Sequence, residues 1–464
     1  MTRDEANPPL GHIMNTTLQT AERLRLGLTT PDKLTESALA KAKSSKHIFI
    51  STLDQRAILD AEASTRRWRE GAPLSALDGI PYAVKDLLDV AGSRTTAGSI
   101  TRIDVPMAVK DAAVIAALTA QGMIPMGKTN LSEFAYSGLG LNPHFGTPMS
   151  DVVVDDSRVP GGSSSGSAIA VQRGIVSIAI GTDTAGSIRI PAAFNGLVGY
   201  KASTGRYSME GVHPLAVTLD SLGSFAHTVA DCAALDAAMR DAGGTSIQAA
   251  PLSSLRFVVD EGVMADPALQ PAVHQNLVSM MERLRQAGAH VEYRAVAAVA
   301  HTRDLITRSG WLGAIEAWRL LGPIVESAQG ARMDRRVHAR LRSAKDIDLV
   351  TEARIRDLRV KLMTAIKNEL DGALLVIPTV KHVAPPLAPL ENDDALFAAV
   401  NIETLSLTMI GSLLDMPGMA IPSGKDNAGL ATSTLFSTTR GLDDQLLSAA
   451  LAIESALTTA GIKT

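Results

Sequence analysis

Serines and glycines crowd into one stretch of this chain. Residues 160–192 read PGGSSSGSAIAVQRGIVSIAIGTDTAGSIRIPA. Two small-residue loops, 161–167 and 181–187, flank an apolar run, 175–180, that reads as a short buried strand. Glycine lets the main chain adopt conformations other residues resist and approach a ligand closely. A loop rich in backbone N–H groups holds a developing negative charge. The serine hydroxyls beside it are nucleophiles. One stretch therefore offers nucleophiles and an oxyanion site close together.

PGGSSSGSA followed by GTDTAGSIRIPA resembles the signature of the amidase signature family of serine hydrolases. A third matching segment lies upstream, where residues 79–86 read GIPYAVKD, a GIP-x-x-x-KD pattern. Three segments in the right order make the resemblance specific; either glycine-serine loop alone is weak. The resemblance implies that Lys85, Ser163 and Ser187 form the catalytic set. Ser163 would be held by a cis peptide and Ser187 would be the nucleophile. It also implies an oxyanion hole from the N–H groups of Thr184, Ala185, Gly186 and Ser187. The substrate pocket would run along Tyr136, Ser137, Gly138, Leu139 and Gly140, in YSGLGLN. Two residues depart from the usual pattern: Ala185 and Ser165 stand where glycine is frequent, and neither change removes a catalytic atom. Asp183 and Arg189 flank the nucleophile. Either Asp183 orders the loop and Arg189 meets a polar substrate group, or the two pair with each other. Pairing is preferred, because buried charges need partners.

Amide hydrolysis needs a deprotonated nucleophile, a home for the oxyanion and an acid for the departing nitrogen. Ser187 would attack, Ser163 would relay its proton, and Lys85 would receive it. Lys85 must then be neutral at rest. Leu87, Leu88 and Val90 suggest a buried strand or strand end around it, and burial lowers a lysine pKa. A lysine at a strand mouth with its ammonium in solvent is the bland alternative. No metal or organic cofactor is required, and no metal-binding cluster of cysteine and histidine is visible in the sequence.

These residues need a scaffold. The 464 residues include 46% hydrophobic and 20% charged, enough for a large core and too apolar for wholesale disorder. The net charge of −4 disfavours nucleic acid or an anionic membrane as main partner. Cys232 is the only cysteine, which excludes an internal disulfide and fits a reducing compartment. Residues 1–12, MTRDEANPPLGH, do not read as a secretory signal. No apolar run of about 18 residues appears. A cytoplasmic protein is expected, a monomer or homodimer, acting on a small-molecule amide-type substrate.

Strand and helix signals alternate. Thr30-Pro31-Asp32 opens a helix to about Lys43; 53–70 and 111–121 read as helices, and 123–126 as a strand. Strands are expected at 197–201, 255–259, 373–379, 419–422 and 431–438. Helices are expected from Thr228, at 267–287 and at 442–457, and across most of 304–367. In that last stretch Arg354, Arg356 and Arg359 are taken as solvated. Residues 127–135, 199–206, 221–231 and 373–379 extend the resemblance, which runs from about Ala57 to the C-terminus. It implies one α/β domain over 1–464 with a large mixed sheet between helices, in agreement with the alternation. Within it, 1–70 supplies N-terminal helices, 71–240 the signature core and 250–464 a more variable substrate-side part.

Two other motifs compete. Residues 122–129, GMIPMGKT, fit the phosphate-loop pattern, but they follow a helix and their apolar interior reads as the strand itself. Residues 162–166, GSSSG, fit the nucleophile elbow of α/β-hydrolases with Ser164 as nucleophile, but a polar loop, 155–160, precedes them instead of a strand. The function expected is hydrolysis of a small C–N bond, in an amide, urea-like compound or carbamate, through a Ser187 acyl-enzyme. The alternative is a glutamine-hydrolysing A subunit of a tRNA-dependent amidotransferase. A non-catalytic binding protein is disfavoured by the complete set of Lys85, Ser163 and Ser187.

Overall fold

Eleven strands among the described residues form one mixed sheet. They are β1 (Phe49–Thr52), β2 (Pro81–Lys85), β3 (Ile124–Thr129), β4 (Ile178–Asp183), β5 (Val198–Lys201), β6 (Ser221–Ala226), β7 (Arg256–Asp260), β8 (His290–Arg294), β9 (Leu374–Pro378), β10 (Gly418–Lys425) and β11 (Ala431–Ser437). The computed structural model describes residues 16–150, 157–240 and 247–459. Residues 1–12, read above for a leader, and Asp155-Asp156 of the loop before Ser163 lie outside that set. The spatial order is β1-β3-β2-β4-β6-β5-β10-β11-β9-β7-β8. β2 runs parallel to β3 and β4, and β7 to β8 and β9; the other neighbours are antiparallel.

Side chains alternate across a strand, and here both sides are buried. Tyr82 and Val84 of β2, Ile178 and Ile180 of β4 and Leu374 and Val376 of β9 point into one continuous core. On the opposite face Ala83 and Ala179 join one cluster, and Leu375 and Ile377 another. Helices cover both faces, so the central strands read as unbroken apolar runs. Residues 81–226 supply β2 to β6 and the chain beyond 250 supplies β7 to β11. The two stretches join where Gly418, Met419 and Ala420 pair with Lys201, Tyr200 and Gly199. The result is one α/β domain, a large mixed sheet flanked by helices. No helix among the described residues is long and apolar enough to cross a membrane.

Several expected elements sit elsewhere than read. β4 begins at Ile178 and takes in Gly181, Thr182 and Asp183, which had looked like loop, because all six residues pair with β6. β2 ends at Lys85; the N–H groups of Leu87 and Leu88 both turn back to the Lys85 carbonyl. β1 and β8 were not foreseen: they are edge strands and largely half-exposed. The stretch 304–367 is broken into Ala297–Ser309, Leu312–Val325, Arg335–Arg342 and Leu349–Leu370. In the last of these Arg354 is exposed, but Arg356 bridges Glu316 and Glu352, and Arg359 donates to the Leu413 and Thr218 carbonyls. Those two are tethers, not a solvated face.

The approach to β2 is held by one carboxylate. Asp78 is wholly buried and accepts from Ser64 Oγ at 2.7 Å, Arg67 Nη2 at 2.6 Å and Nε at 2.8 Å, and the Leu74 N–H at 2.8 Å. Ser64 and Arg67 lie on the Asp54–Arg69 helix, so this carboxylate clamps helix to strand. Gly79 follows with φ +86, and a Cβ there would meet Pro31 at 2.5 Å, which accounts for the glycine of the GIP segment. Breaking a buried pair by removing one partner costs about 3–5 kcal/mol. Asp78→Ala is expected to lower stability by about 3 kcal/mol, read as a reduced midpoint in urea unfolding. A change below about 0.5 kcal/mol would show that the clamp is dispensable.

Candidate active site

β2 delivers Lys85 to the interior at its C-terminal end. The amine is fully buried and donates to Ser163 Oγ at 2.7 Å and to Thr182 Oγ1 at 2.8 Å. Burial pulls its pKa down to about 7, against the charges of Asp183 and Asp220, which favour the protonated form. Thr182 is a partner that the sequence reading missed. It comes from β4, the parallel neighbour of β2, so strand register brings it to Lys85.

Ser163 sits just before the Ser165–Gln172 helix, and the peptide between Gly162 and Ser163 is cis. Its carbonyl accepts from the Ser132 N–H at 3.1 Å and the Ser165 N–H at 2.9 Å, which fixes the loop. The Ser165 hydroxyl is buried without a partner among the described residues. Ser164 Oγ turns away and donates to the Thr182 carbonyl at 3.3 Å. Its N–H donates to the Ser187 carbonyl at 3.3 Å, which stitches the two glycine-serine loops together. Ser187 is 4% exposed, and no hydrogen bond among the described residues engages its hydroxyl.

Asp183 organises the loop that carries Ser187. Oδ1 accepts from the Gly186 N–H at 2.8 Å and Arg189 Nη2 at 2.9 Å; Oδ2 accepts from the Ile188 N–H at 3.1 Å and Arg189 Nε at 2.9 Å. Burial alone would raise this carboxyl, but the Arg189 charge and its hydrogen bonds hold it down at about 2. Arg189, wholly buried, spends its remaining donor atom on the Thr408 carbonyl at 3.0 Å, and Nη2 also reaches Ser412 Oγ at 2.8 Å. Of the two readings of Asp183 and Arg189, mutual pairing is what the structure contains, and all three Arg189 side-chain nitrogens donate within the protein. The four expected oxyanion donors divide likewise. The Gly186 N–H is taken by Asp183, whereas those of Thr184, Ala185 and Ser187 have no acceptor among the described residues.

The segment from Tyr136 to Gly140 packs behind Ser163. The Gly138 carbonyl accepts from the Gly162 N–H at 2.8 Å. Asn401 Oδ1 accepts from Ser137 Oγ at 3.0 Å and the Gly138 N–H at 2.8 Å. Gly140 has φ +86, and a Cβ on it would strike the Gly161 carbonyl oxygen at 2.3 Å. Leu139 is buried in an apolar cluster with Ile190, Leu405 and Met409, against which Ala185 packs. Arg340 lies over the Tyr136 ring and donates to its carbonyl. Asn401, Thr408 and Arg340 carry no local motif; only the fold brings them here.

Neither competing motif has the surroundings its chemistry requires. Lys128 of the phosphate-loop pattern lies inside β3, fully buried, and pairs with Asp86 at 2.7 Å. Among the described residues only a three-residue 3-10 turn, Glu133–Ala135, follows β3, and the next α-helix begins at Ser165, so the strand does not run into the helix that a phosphate loop requires. Before Ser164 there is a loop and a cis peptide instead of a strand. Among the described residues no group of three or more His, Cys, Asp or Glu side chains is arranged to hold a metal ion. Removing the charge of Asp183 would strand Arg189 in the core. Asp183→Asn is therefore expected to lose about 3 kcal/mol of stability and at least tenfold in turnover, measured by chemical denaturation and steady-state kinetics on the same sample. Unchanged values for both would show that the Asp183 cradle is not needed.

Comparison with known proteins agrees with this construction. The family profile described as Amidase matches residues 33–447. The 2-amino-5-chloromuconic acid deaminase of Comamonas testosteroni is 31% identical over 390 residues, 83% of this chain and 83% of the relative. The A subunit of the glutamyl-tRNA(Gln) amidotransferase of Cupriavidus necator is 29% identical over 466 aligned residues, covering 89% of this chain and 90% of the relative. A crystal structure of an amidase matches with a TM-score of 0.83 at 28% identity, over 95% of this chain and 99% of that one. A profile match across most of the chain, with the same fold in solved amidases, means that this chain belongs to the amidase family, the amidase signature enzymes that act on C–N bonds.

Proposed function

We propose that this protein is a serine amidohydrolase that cleaves a small amide-type C–N bond through an acyl-enzyme on Ser187. The observation that carries the reading is the buried amine of Lys85, 2.7 Å from Ser163 Oγ, with its pKa brought by burial to about 7. A neutral amine there accepts the Ser163 proton as Ser163 takes the proton of Ser187. Ser187 Oγ then bonds to the acyl carbon. The oxyanion meets the free N–H groups of Thr184, Ala185 and Ser187. When the C–N bond breaks, the proton returns from Lys85 through Ser163 to the leaving nitrogen. Water then attacks the acyl carbon by the same relay in reverse, releasing the acid and restoring Ser187. Aryl amides, urea-like compounds and carbamates fit this chemistry, and the deaminase relative is compatible with a small substrate. Homology to the A chain of the tRNA-dependent amidotransferase favours a second reading, glutamine hydrolysis in a complex that passes ammonia onward. Glutaminase activity that appears only with partner proteins would select it over activity of the isolated chain on small amides.

Labelling with a fluorophosphonate followed by peptide mass mapping is expected to place the adduct on Ser187, and Ser187→Ala to abolish both labelling and turnover. An adduct on Ser164 would favour the elbow instead.

Only neutral Lys85 starts the relay, so kcat/KM is expected to rise with pH through a midpoint near 7 and level off above it. Lys85→Ala should lose about a thousandfold or more, and Lys85→Arg should not recover it, because arginine stays protonated. The check is a pH–rate profile of the three proteins with thermal melts alongside. Wild-type activity in Lys85→Arg would mean that Lys85 is structural.

A further inference from the structure

Strand register decides which side chains meet beside Lys85. β4 and β6 pair with Thr182 opposite Leu222 and Asp183 opposite Ser221. One step past the strand ends the same register sets Thr184 opposite Asp220, and the Thr184 hydroxyl donates to Asp220 Oδ1 at 2.6 Å. Residues two apart along a strand share a face and are spaced roughly 6.5 Å. Thr182, which holds the Lys85 amine, and Thr184, which holds Asp220, are related in this way. Asp220 Oδ2 accepts from the N–H groups of Leu215 at 2.8 Å and Ala216 at 3.0 Å. The residue is 8% exposed, and no cationic side chain forms an ion pair with it among the described residues. Asp183 is the contrasting case, because Arg189 pairs with it at 2.9 Å. Asp220, held one same-face position beyond the Lys85 contact, is thus a buried carboxylate with no ion-pair partner among the described residues.

We propose that Asp220 is a positioning residue: through Thr184 it holds the oxyanion loop, and its unpaired charge steadies the proton on Lys85 while Ser187 attacks. The inference rests on the relay proposed above. As the Ser187–acyl bond forms, the Ser187 proton moves to Ser163 and the Ser163 proton to Lys85. The new ammonium then faces a carboxylate already fixed by three donors. The proton leaves again for the nitrogen when the C–N bond breaks, so the Asp220 charge lowers the cost of the intermediate without being consumed. Other charged groups around the pair are Asp183 and Arg189 in the nucleophile loop and Glu316 on the Leu312–Val325 helix, which repels Asp220 but is itself paired with Arg356 at 2.7 Å. Lys201 lies beyond Asp183 and donates to the Ala202 and Met416 carbonyls. Burial raises the Asp220 carboxyl to about 6, against the Thr184, Leu215 and Ala216 hydrogen bonds, so it is ionised where Lys85 loses its proton.

The test is the pH–rate profile of Asp220→Asn in the full chain, with thermal melts to verify folding. Asparagine can keep contacts to Thr184 and the two N–H groups while losing the charge. The acid-limb midpoint of kcat/KM is expected to fall by about one pH unit, and the plateau by about tenfold. Thr184→Val, which loosens the loop but leaves the charge, should lower the plateau without moving the midpoint. Should the asparagine variant fail to fold, Asp220→Ser gives the same reading. A midpoint that stays at the wild-type value in a folded, neutral Asp220 variant overturns the proposal. Full activity in Lys85→Ala or Ser187→Ala would instead overturn the relay; with both inactive and the midpoint unmoved, only the role given to Asp220 falls.

Discussion

An amine that is to shed its proton near neutrality must be kept from water and from too much negative charge at once. Most of the architecture around Lys85 serves that balance. Complete burial favours the neutral form, and two carboxylates pull the other way. Were both left unpaired, the amine would be held protonated. Arg189 pairs with Asp183 at 2.9 Å, and Asp183 is still the stronger of the two carboxylates acting on Lys85, so a buried ion pair that touches no reacting atom helps tune the proposed base. The same pair also folds the chain around Ser187, through the Gly186 and Ile188 N–H groups. Electrostatic tuning and loop shape come from one carboxylate and cannot be altered separately.

The parallel contact of β2 with β4 sets the rest. It brings Lys85 to the Thr182 hydroxyl, and the turn after β4 then carries the Ser187 loop. The Ser163 loop closes the triangle because Gly162 is held by Gly138 and Ser164 by Ser187. Glycine is needed at 140 and 162 because the backbones themselves touch: a Cβ on Gly162 would lie 2.5 Å from the Gly140 nitrogen. The site is therefore a packing of main chains, with few side chains to repack if one of them moves.

What could be read from the chain alone follows from this. Lys85, Ser163 and Ser187 stand in contiguous segments, so the resemblance of those segments to the amidase signature points to them. The alternation of strand and helix agrees with an α/β class, and the resemblance implies the large mixed sheet. Thr182 stands inside GTDTAGS, but nothing in that segment says that its hydroxyl meets Lys85, and Asp220 lies just outside the matching segment 221–231; both matter because strands pair in one register, which is a property of the fold. The resemblance implies all four loop amides as oxyanion donors, and only the Asp183 contact sets Gly186 apart. Arg356 and Arg359 looked like solvated charge because helical periodicity does not reveal a carboxylate or a carbonyl arriving from another segment. β8 escaped because an edge strand needs no apolar face, and HVEYR shows none.

The seam where β5 meets β10 divides the labour of this enzyme. Lys85, Ser163, Thr182 and Ser187 all come from one side of it, whereas Asn401, Thr408, Ser412 and Arg340, which brace or cover them, come from the other. The proposed relay and its braces are thus encoded in separate stretches of the gene, joined by the backbone hydrogen bonds of the seam and by side chains that cross it, Asn401 to Ser137 and Arg189 to Ser412. A substitution at either end of such a bridge is felt on both sides of the seam, which ties the two stretches to change together.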